Sequence, residues 1–521
     1  VLLVRNRREF RALGSKCPHY GAPLSKGVLR GERLRCPWHG ACFNIRTGDI
    51  EEYPGLDCIS CFKVTVEDGK VFITAKKKVL TLPAVTEHGQ CLGLRDTSRR
   101  CLLNKNTVLL LGGGVAALVC AETLRQEGFT GRIIMATKEK HLPYDKPKLS
   151  KQMNLKAEDL YLRKPEFLEA RGIELWTEKE AVEVDFQKQK VHFMDGSSQK
   201  YQQLLIATGS HSGFLKVPGA DLQNICTLQT PEESSKILEL ATGKNLVIVG
   251  ASFIGTRLES AEKIQASRLP AAARDTNGIS LQPGAAAELP ACLGFWLGTA
   301  VFIAWNFLMN TQTSPFQMLQ NKGVKFHMKT ELCELRGKDG KVTEAVLANG
   351  EKLPADVVVV GIGSIPNSAF LKGTSIARDD KGAILVDLHM QTNIPKVFAA
   401  GDVVTFPVAL LDGDSSSIHH QQVAEAHGHC AALNMLRRGQ ELHTVPYFWT
   451  TLLGKSIRYA GCGKGYTDTV VKGSLEQQKF LIFYIRDGHV TAAASLNCDP
   501  MVSLIAEVLY LGKQISKEEA E

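Results

Sequence analysis

Two short segments near the start of the chain carry the residue types that bind transition metals: Cys17-Pro-His19-Tyr-Gly21 and Cys36-Pro-Trp-His39-Gly40, with sixteen residues between His19 and Cys36. Each offers a thiolate and an imidazole, and Pro and Gly recur at matching places, so the segments read as two loops closing on one centre. Two thiolates on one iron and two neutral imidazoles on another would make a [2Fe–2S] unit of higher potential than an all-cysteine cluster. A structural zinc site is the alternative. It would leave the paired Pro and Gly positions unexplained, and zinc sites favour other spacings.

A second kind of chemistry lies further on. Thr107-Val-Leu-Leu-Leu-Gly112-Gly-Gly114-Val-Ala-Ala117 is a buried-strand run entering a glycine turn and a helix expected over Leu118–Glu127. Gly112 allows the tight turn, Gly114 lets backbone approach a pyrophosphate, Ala117 packs helix on strand, and the helix N-terminus favours the anion. Glu139, after the strand Arg132-Ile-Ile-Met-Ala, is the candidate for the ribose hydroxyls; a solvated turn glutamate is the competing reading. Leu204-Leu-Ile-Ala-Thr208-Gly209 and Val397-Phe-Ala-Ala-Gly401-Asp402 end strands in small-residue turns, and Asp402 could reach a flavin ribityl hydroxyl. A second strand and turn, Asn245-Leu-Val-Ile-Val-Gly250-Ala-Ser252-Phe-Ile-Gly255, implies a second nucleotide, with Val357–Gly363 closing its domain.

The elements that must hold these groups fit a chain of 521 residues, 44% apolar and 22% charged, which is long enough for three or four domains. Runs at Leu2–Val4, Cys61–Val66 and Lys70–Thr74 suggest a small antiparallel β domain around the metal loops. The net charge of +8 does not mark a nucleic-acid surface, because seven basic and two acidic residues between Lys76 and Lys105 supply most of it, as a linker. A flexible linker of about 30 residues has an r.m.s. reach of roughly 30 Å, enough to bring metal centre and flavin together. The 14 cysteines are scattered and read as mostly reduced intracellular thiols. Cys58-Ile-Ser-Cys61 and Cys42 are read as structural, since no helix N-terminus follows the pair to lower a thiol pKa. The chain starts at Val1 without a signal-like segment and reads as truncated, which leaves a targeting segment open.

The two metal loops resemble the Rieske family, which implies Cys17 and Cys36 on one iron and His19 and His39 on the other. Respiratory members add a disulfide between the loops; Ala22 and Trp38 stand there, which points to the ferredoxin or oxygenase type. With Gly112–Ala117, His141-Leu-Pro-Tyr-Asp-Lys-Pro-Lys-Leu-Ser-Lys151, Ala207-Thr-Gly, Gly250–Gly255 and Gly401-Asp402, the order of motifs resembles the apoptosis-inducing factor family, itself similar to oxygenase-type ferredoxin reductases. The resemblance covers roughly residues 1–255 and 316–515. It implies a multidomain chain: a small all-β Rieske domain, an α/β two-dinucleotide (glutathione-reductase-like) FAD/NAD fold, and a C-terminal α+β domain. The expected divisions are 1–75 Rieske, 76–105 linker, 106–230 and 355–440 FAD-binding, 231–354 NAD(P)-binding and 441–521 C-terminal. The implied activity is oxidation of NAD(P)H with electrons passing through FAD to the cluster, in a mitochondrial or cytoplasmic setting. The other implied role is a redox-responsive pro-apoptotic scaffold with little turnover.

The resemblance places Lys151 beside the flavin, Asp402 at its ribityl chain, and Phe448-Trp449 at its ring, with core aromatics as the competing reading. It also puts a helix N-terminus at His420 and Gln422, where Gln421 replaces the usual aromatic. It breaks at 256–315: Arg257 replaces an acid, no strand followed by an acid is recognisable, and Ala291–Met309 is a nineteen-residue stretch without charge. That stretch is foreign sequence from altered splicing or gene prediction, a buried helix, or, least favoured, a membrane contact. The first two readings would weaken NAD(P)H binding. The electron acceptor beyond the cluster is not specified by any motif.

Overall fold

Strand alternation in the first 75 residues builds two antiparallel four-stranded sheets. One is ordered Leu2–Asn6, Glu9–Leu13, Cys61–Glu67, Lys70–Thr74; the other Val28–Arg30, Arg33–Arg35, Cys42–Asn44, Ile50–Glu52. The computed structural model describes residues 1–75, 100, 101, 103–250, 270–272, 325–327, 330–452 and 454–521. Leu13, Leu24, Leu34, Phe43, Ile45 and Ile59 fill the space between the sheets. The Cys17 loop precedes Val28–Arg30, and the Cys36 loop joins Arg33–Arg35 to Cys42–Asn44. Both metal loops are therefore turns anchored on strands, the rigid support that a metal centre needs.

The first nucleotide turn lies in a parallel sheet ordered Ile173–Trp176, Arg132–Ala136, Thr107–Leu111, Gln203–Ile206, Val397–Ala399. Its central strands are buried on both faces, which is why they read as unbroken apolar runs. The helix is Val115–Gln126 and starts directly after Gly114, three residues ahead of the expected start. It packs on the helix Gln421–Met435, where a Cβ at Gly428 would lie 2.2 Å from the Ala116 carbonyl oxygen. Glycine is required there for the two helices to approach.

The second parallel sheet is ordered Ile225–Cys226, Val357–Val360, Leu246–Val249, Pro270–Ala272, Lys325–His327. The expectation is that no strand followed by an acid is recognisable in 256–315; a strand does lie there, and the residues that follow it lie outside the described ones. Pro270–Ala272 is the parallel neighbour of Leu246–Val249, although Pro-Ala-Ala lacks the β-branched residues by which strands are recognised. Proline is tolerated as the first residue of a strand. Ser252, Gly255, Arg257, Ala291–Met309 and most of the basic linker lie outside the described residues.

The C-terminal unit is a five-stranded antiparallel sheet ordered Tyr447–Leu452, Lys455–Gly461, His489–Leu496, Lys479–Arg486, Asp468–Ser474, with the helix Met501–Tyr510 against it. All-β, two-sheet α/β and α+β parts thus follow one another as the motif order implied. Among the described residues no helix is long and apolar enough to cross a membrane.

The helix contact at Gly428 gives a direct test of packing. Gly428→Ala should destabilise the fold by about 1–3 kcal/mol, the usual cost of overpacking, seen as a lower thermal midpoint. An unchanged midpoint would show that the two helices can move apart freely.

Candidate functional site

The two metal loops are built alike. Cys17 N–H donates to the Ala22 carbonyl at 2.8 Å, and Cys36 N–H to the Ala41 carbonyl at 2.7 Å, so each loop is a five-residue step closed on its own cysteine. The N–H groups of His19 and Tyr20 point at the Cys17 sulfur, and those of Trp38 and His39 at the Cys36 sulfur. Such donors favour thiolate. The two sulfurs touch: the contact with Cys36, then burial, pushes the Cys17 thiol up, while the same contact pulls Cys36 down. One proton shared between two sulfurs is what a positive metal would displace.

The imidazoles meet in the same way, His39 Nδ1 lying 3.1 Å from His19 Nδ1. Burial, with Lys148 and Lys151 adding to it, pulls His19 down to about 3, and burial also holds His39 well below the usual histidine range. Both rings are neutral at physiological pH, the form that ligates metal. Among the described residues no three or more His, Cys, Asp or Glu side chains converge on a single ion position. The four side chains stand as a sulfur pair and a nitrogen pair, which fits two irons with two ligands each and does not fit one tetrahedral zinc.

The histidine side of these loops is covered by the C-terminal sheet. The Trp449 ring stacks on His39 with centroids 4.7 Å apart and meets His19 edge-on at 5.4 Å. Phe448, its neighbour in the strand, faces the other way and stacks on His420 at 4.8 Å. The expected aromatic pair is therefore split by strand alternation, one ring for each face of the sheet. Gly40, with φ +79°, lies against the Tyr447 ring; a Cβ there would come within 2.6 Å of it. Tyr20 Oη donates to Asp145 at 2.7 Å, which ties the first loop to the segment bearing Lys151. The metal-loop domain is seated on the C-terminal sheet and the nucleotide-turn domains, where a linker of long reach would also have allowed a detached one.

The flavin turn fits its nucleotide. Gly112, at φ +133°, would place a Cβ 2.1 Å from the Ala207 carbonyl, and Ala117 is fully buried under the sheet. Around Gly114 there is open space, as an approaching pyrophosphate requires. Thr208 Oγ1 donates to the Asn367 carbonyl at 2.7 Å, next to Gly209 at φ +68°. Gly401 N–H donates to His427 Nδ1 at 3.3 Å, which fixes the turn that presents Asp402. Glu139 is 3.6 Å from Lys146 Nζ, at the mouth of this strand end. Lys151 is exposed, and its charge reaches both histidines. Gln422, read as a flavin neighbour, is buried and holds Thr444 Oγ1 at 2.8 Å and the Tyr447 N–H at 3.1 Å. Gly250, at φ +108°, lies against the Gly361 carbonyl as the second turn requires. Cys61 is a free thiol whereas Cys58 is in a disulfide, so Cys58 and Cys61 do not pair with each other.

Sequence reading missed Glu425, Arg33, Arg35, Glu52, Ser503 and Glu507. The available signal was a charged residue inside an apolar run, as with the single glutamate of Met501–Tyr510. Glu425 is buried in the helix Gln421–Met435 and accepts from the Gly55 N–H of the metal-loop domain at 3.0 Å and from Gln421 at 3.1 Å. Burial pushes its carboxyl up to about 8, and the Asp145 charge adds to this.

Residues 106–428 match the family "pyridine nucleotide-disulphide oxidoreductase", residues 1–63 the "Rieske [2Fe-2S] domain" and residues 447–521 the "reductase C-terminal" domain. The chain is 45% identical to apoptosis-inducing factor 3 of Homo sapiens over all of its length and 82% of that protein. It is 27% identical to putidaredoxin reductase of Pseudomonas putida, over 76% of this chain and 90% of that one. Its fold superposes on the crystal structure of the covalent putidaredoxin reductase–putidaredoxin complex with a TM-score of 0.69 at 25% identity, covering 80% of this chain and 96% of that one.

The Glu425 carboxyl yields a pH prediction. Its folded-state pKa of about 8 lies above the unfolded value, so its contribution to stability is fully present below the unfolded pKa and is lost as pH rises towards 8. Glu425→Gln should raise the thermal midpoint near pH 8 by roughly 5 °C and leave it unchanged near pH 4. Equal effects at both pH values would show that the carboxyl does not change its protonation between folded and unfolded states.

Proposed function

The chain belongs to the pyridine nucleotide-disulphide oxidoreductase family and carries a Rieske [2Fe-2S] domain ahead of it, and from that premise we propose that electrons pass from NAD(P)H through FAD into its own cluster, with Trp449 between flavin side and cluster. The seating of Trp449 on His39 at 4.7 Å carries this reading. FAD, when bound, takes up a two-electron hydride and yields electrons singly, as a one-electron [2Fe–2S] acceptor requires.

The chain's own residues then have separate tasks. Cys17 and Cys36 would hold one iron as thiolates stabilised by loop N–H groups, and His19 and His39, whose neutral rings meet through Nδ1, would hold the other. Gly112, Gly114 and Ala117 would cradle the flavin pyrophosphate and Glu139 would take the ribose. Thr208 and Gly209 close the turn beside it, and Gly401 and Asp402 would take the ribityl chain. Lys151 places a cation at the flavin edge, close enough to the histidines to favour an electron-rich cofactor there. Gly250, with Ser252 and Gly255 of the same motif, would hold the nicotinamide nucleotide. Trp449 and Tyr447 exclude water from the histidine side of the cluster, which lowers the solvent reorganisation that accompanies charge transfer. The putidaredoxin reductase relative was solved bound to a separate protein, putidaredoxin; in this chain the N-terminal domain takes the place of such a partner.

An anaerobic titration tests the path. NADH or NADPH should bleach the flavin absorbance and then produce the reduced-cluster EPR signal. If dithionite bleaches the flavin and neither nucleotide does, the oxidoreductase reading falls and a scaffold role stands in its place.

The ligand assignment is tested at one residue. His39→Cys should move the Rieske-type EPR signal toward that of an all-thiolate cluster or abolish it. An unchanged spectrum would remove His39 from the ligand set.

A further inference from the structure

We propose that Glu507 is a positioning residue: with Arg33, Arg35 and Glu52 it forms a buried ionic clamp that keeps the Rieske domain seated, so that the cluster serves as a built-in acceptor and not as a swinging carrier. This rests on the electron path proposed above and adds what fixes its geometry.

The helix Met501–Tyr510 is apolar apart from Ser503 and Glu507, four residues apart and so on one face. Both reach the Cys36 loop. Ser503 Oγ donates to the Cys36 carbonyl at 2.9 Å, and the Tyr447 hydroxyl lies 3.0 Å from Ser503 Oγ. Glu507 accepts from Arg33 Nε at 2.7 Å and from Arg35 Nε at 2.8 Å. Those arginines alternate on one strand and point to the same side. Their remaining donors are taken up within the Rieske domain: Arg33 by Glu52 at 2.8 Å and Glu51 at 2.7 Å, Arg35 by Glu52 and by the Gly40 carbonyl at 2.9 Å. The Arg33 guanidinium also covers the Tyr510 ring, 3.9 Å from its centroid.

Arg35, Glu52 and Glu507 have side chains only 2–3% exposed. A buried carboxylate between two guanidinium groups has a sharp geometric optimum, and separating the domains would leave each of these charges without its partner. Arg35 adjoins Cys36 and bonds the carbonyl of Gly40, so the clamp sets the loop that carries His39 directly on Tyr447 and Trp449. A domain that shuttled would instead show an exposed, salt-screened contact surface.

The test uses the full chain loaded with flavin and cluster, mixed anaerobically with NAD(P)H in a stopped-flow cell. Glu507→Gln should leave flavin reduction unchanged and slow cluster reduction about 100-fold, the scale of loss for a misplacement of about 1 Å in a positioned reaction. Arg33→Gln, at the clamp's more open edge, should fall between. Solution scattering should show Glu507→Gln expanded relative to wild type, and wild-type cluster reduction should be flat from about 50 to about 500 mM salt. Wild-type cluster reduction and compactness in Glu507→Gln, or a steep salt dependence in wild type, overturns the clamp. If wild-type flavin is reduced and the cluster never follows, the electron path falls, and the scattering comparison alone decides the clamp.

Discussion

The proposed electron path depends on one contact: the Trp449 indole against the His39 and His19 imidazoles. It joins residues more than four hundred positions apart, and a ring stack of this kind contributes only about 0.5–1.5 kcal/mol. So small a term does not hold two domains in register. The register comes from elsewhere, from polar groups that become costly when the interface opens: the Arg35–Glu507 pair, Ser503 on the Cys36 carbonyl, and Gly55 N–H on Glu425. Breaking one buried ion pair by removing a partner typically costs about 3–5 kcal/mol. Ionic and hydrogen-bonded contacts thus supply the precision, and the aromatic contact uses it.

Burial acts on the same groups in two directions. It holds His19 and His39 neutral and adds to the contact with Cys36 that keeps the Cys17 thiol protonated, so the loops carry little charge without a metal. It also keeps the Glu425 carboxyl protonated through neutral pH, and so able to lie inside the interface without a cation. Arg35 and Glu507 solve the same problem by pairing. The interface carries buried ionisable groups in both forms, neutralised by a proton in one place and by a counter-charge in another.

What was legible in the sequence follows a physical division. Ligand loops and dinucleotide turns are local: Gly112 needs its φ, Gly40 and Gly21 close loops around a cysteine, and spacing carries that information. The strand of Thr107–Leu111 is buried along its whole length and its neighbours beyond their first residues, so hydrophobicity alone reveals them. The clamp is non-local. Arg33 and Arg35 look like ordinary surface alternation until a helix near the far end of the chain supplies Glu507, and no single-sequence pattern links the two. Phe448-Trp449 was half legible: the residues were identified, but that they face opposite sides follows from their strand, Tyr447–Leu452. Pro270–Ala272 was missed because its place is set by pairing with Leu246–Val249 and not by its own composition.

That last strand changes how the second nucleotide domain should be regarded. A five-stranded parallel sheet with Leu246–Val249 flanked on both sides has the frame of a dinucleotide site, and Gly250 holds the positive φ that turns the chain out of it. A foreign-looking composition between 256 and 315 therefore does not by itself remove the frame, because a strand of three small residues is enough to continue the sheet. Gly250 stands at the end of Leu246–Val249, and the sheet behind it is already formed. The first nucleotide turn and the metal loops are built from other segments, so on the proposed path a weakened second nucleotide site would slow electron entry without disturbing the contact of Trp449 with His39 and His19.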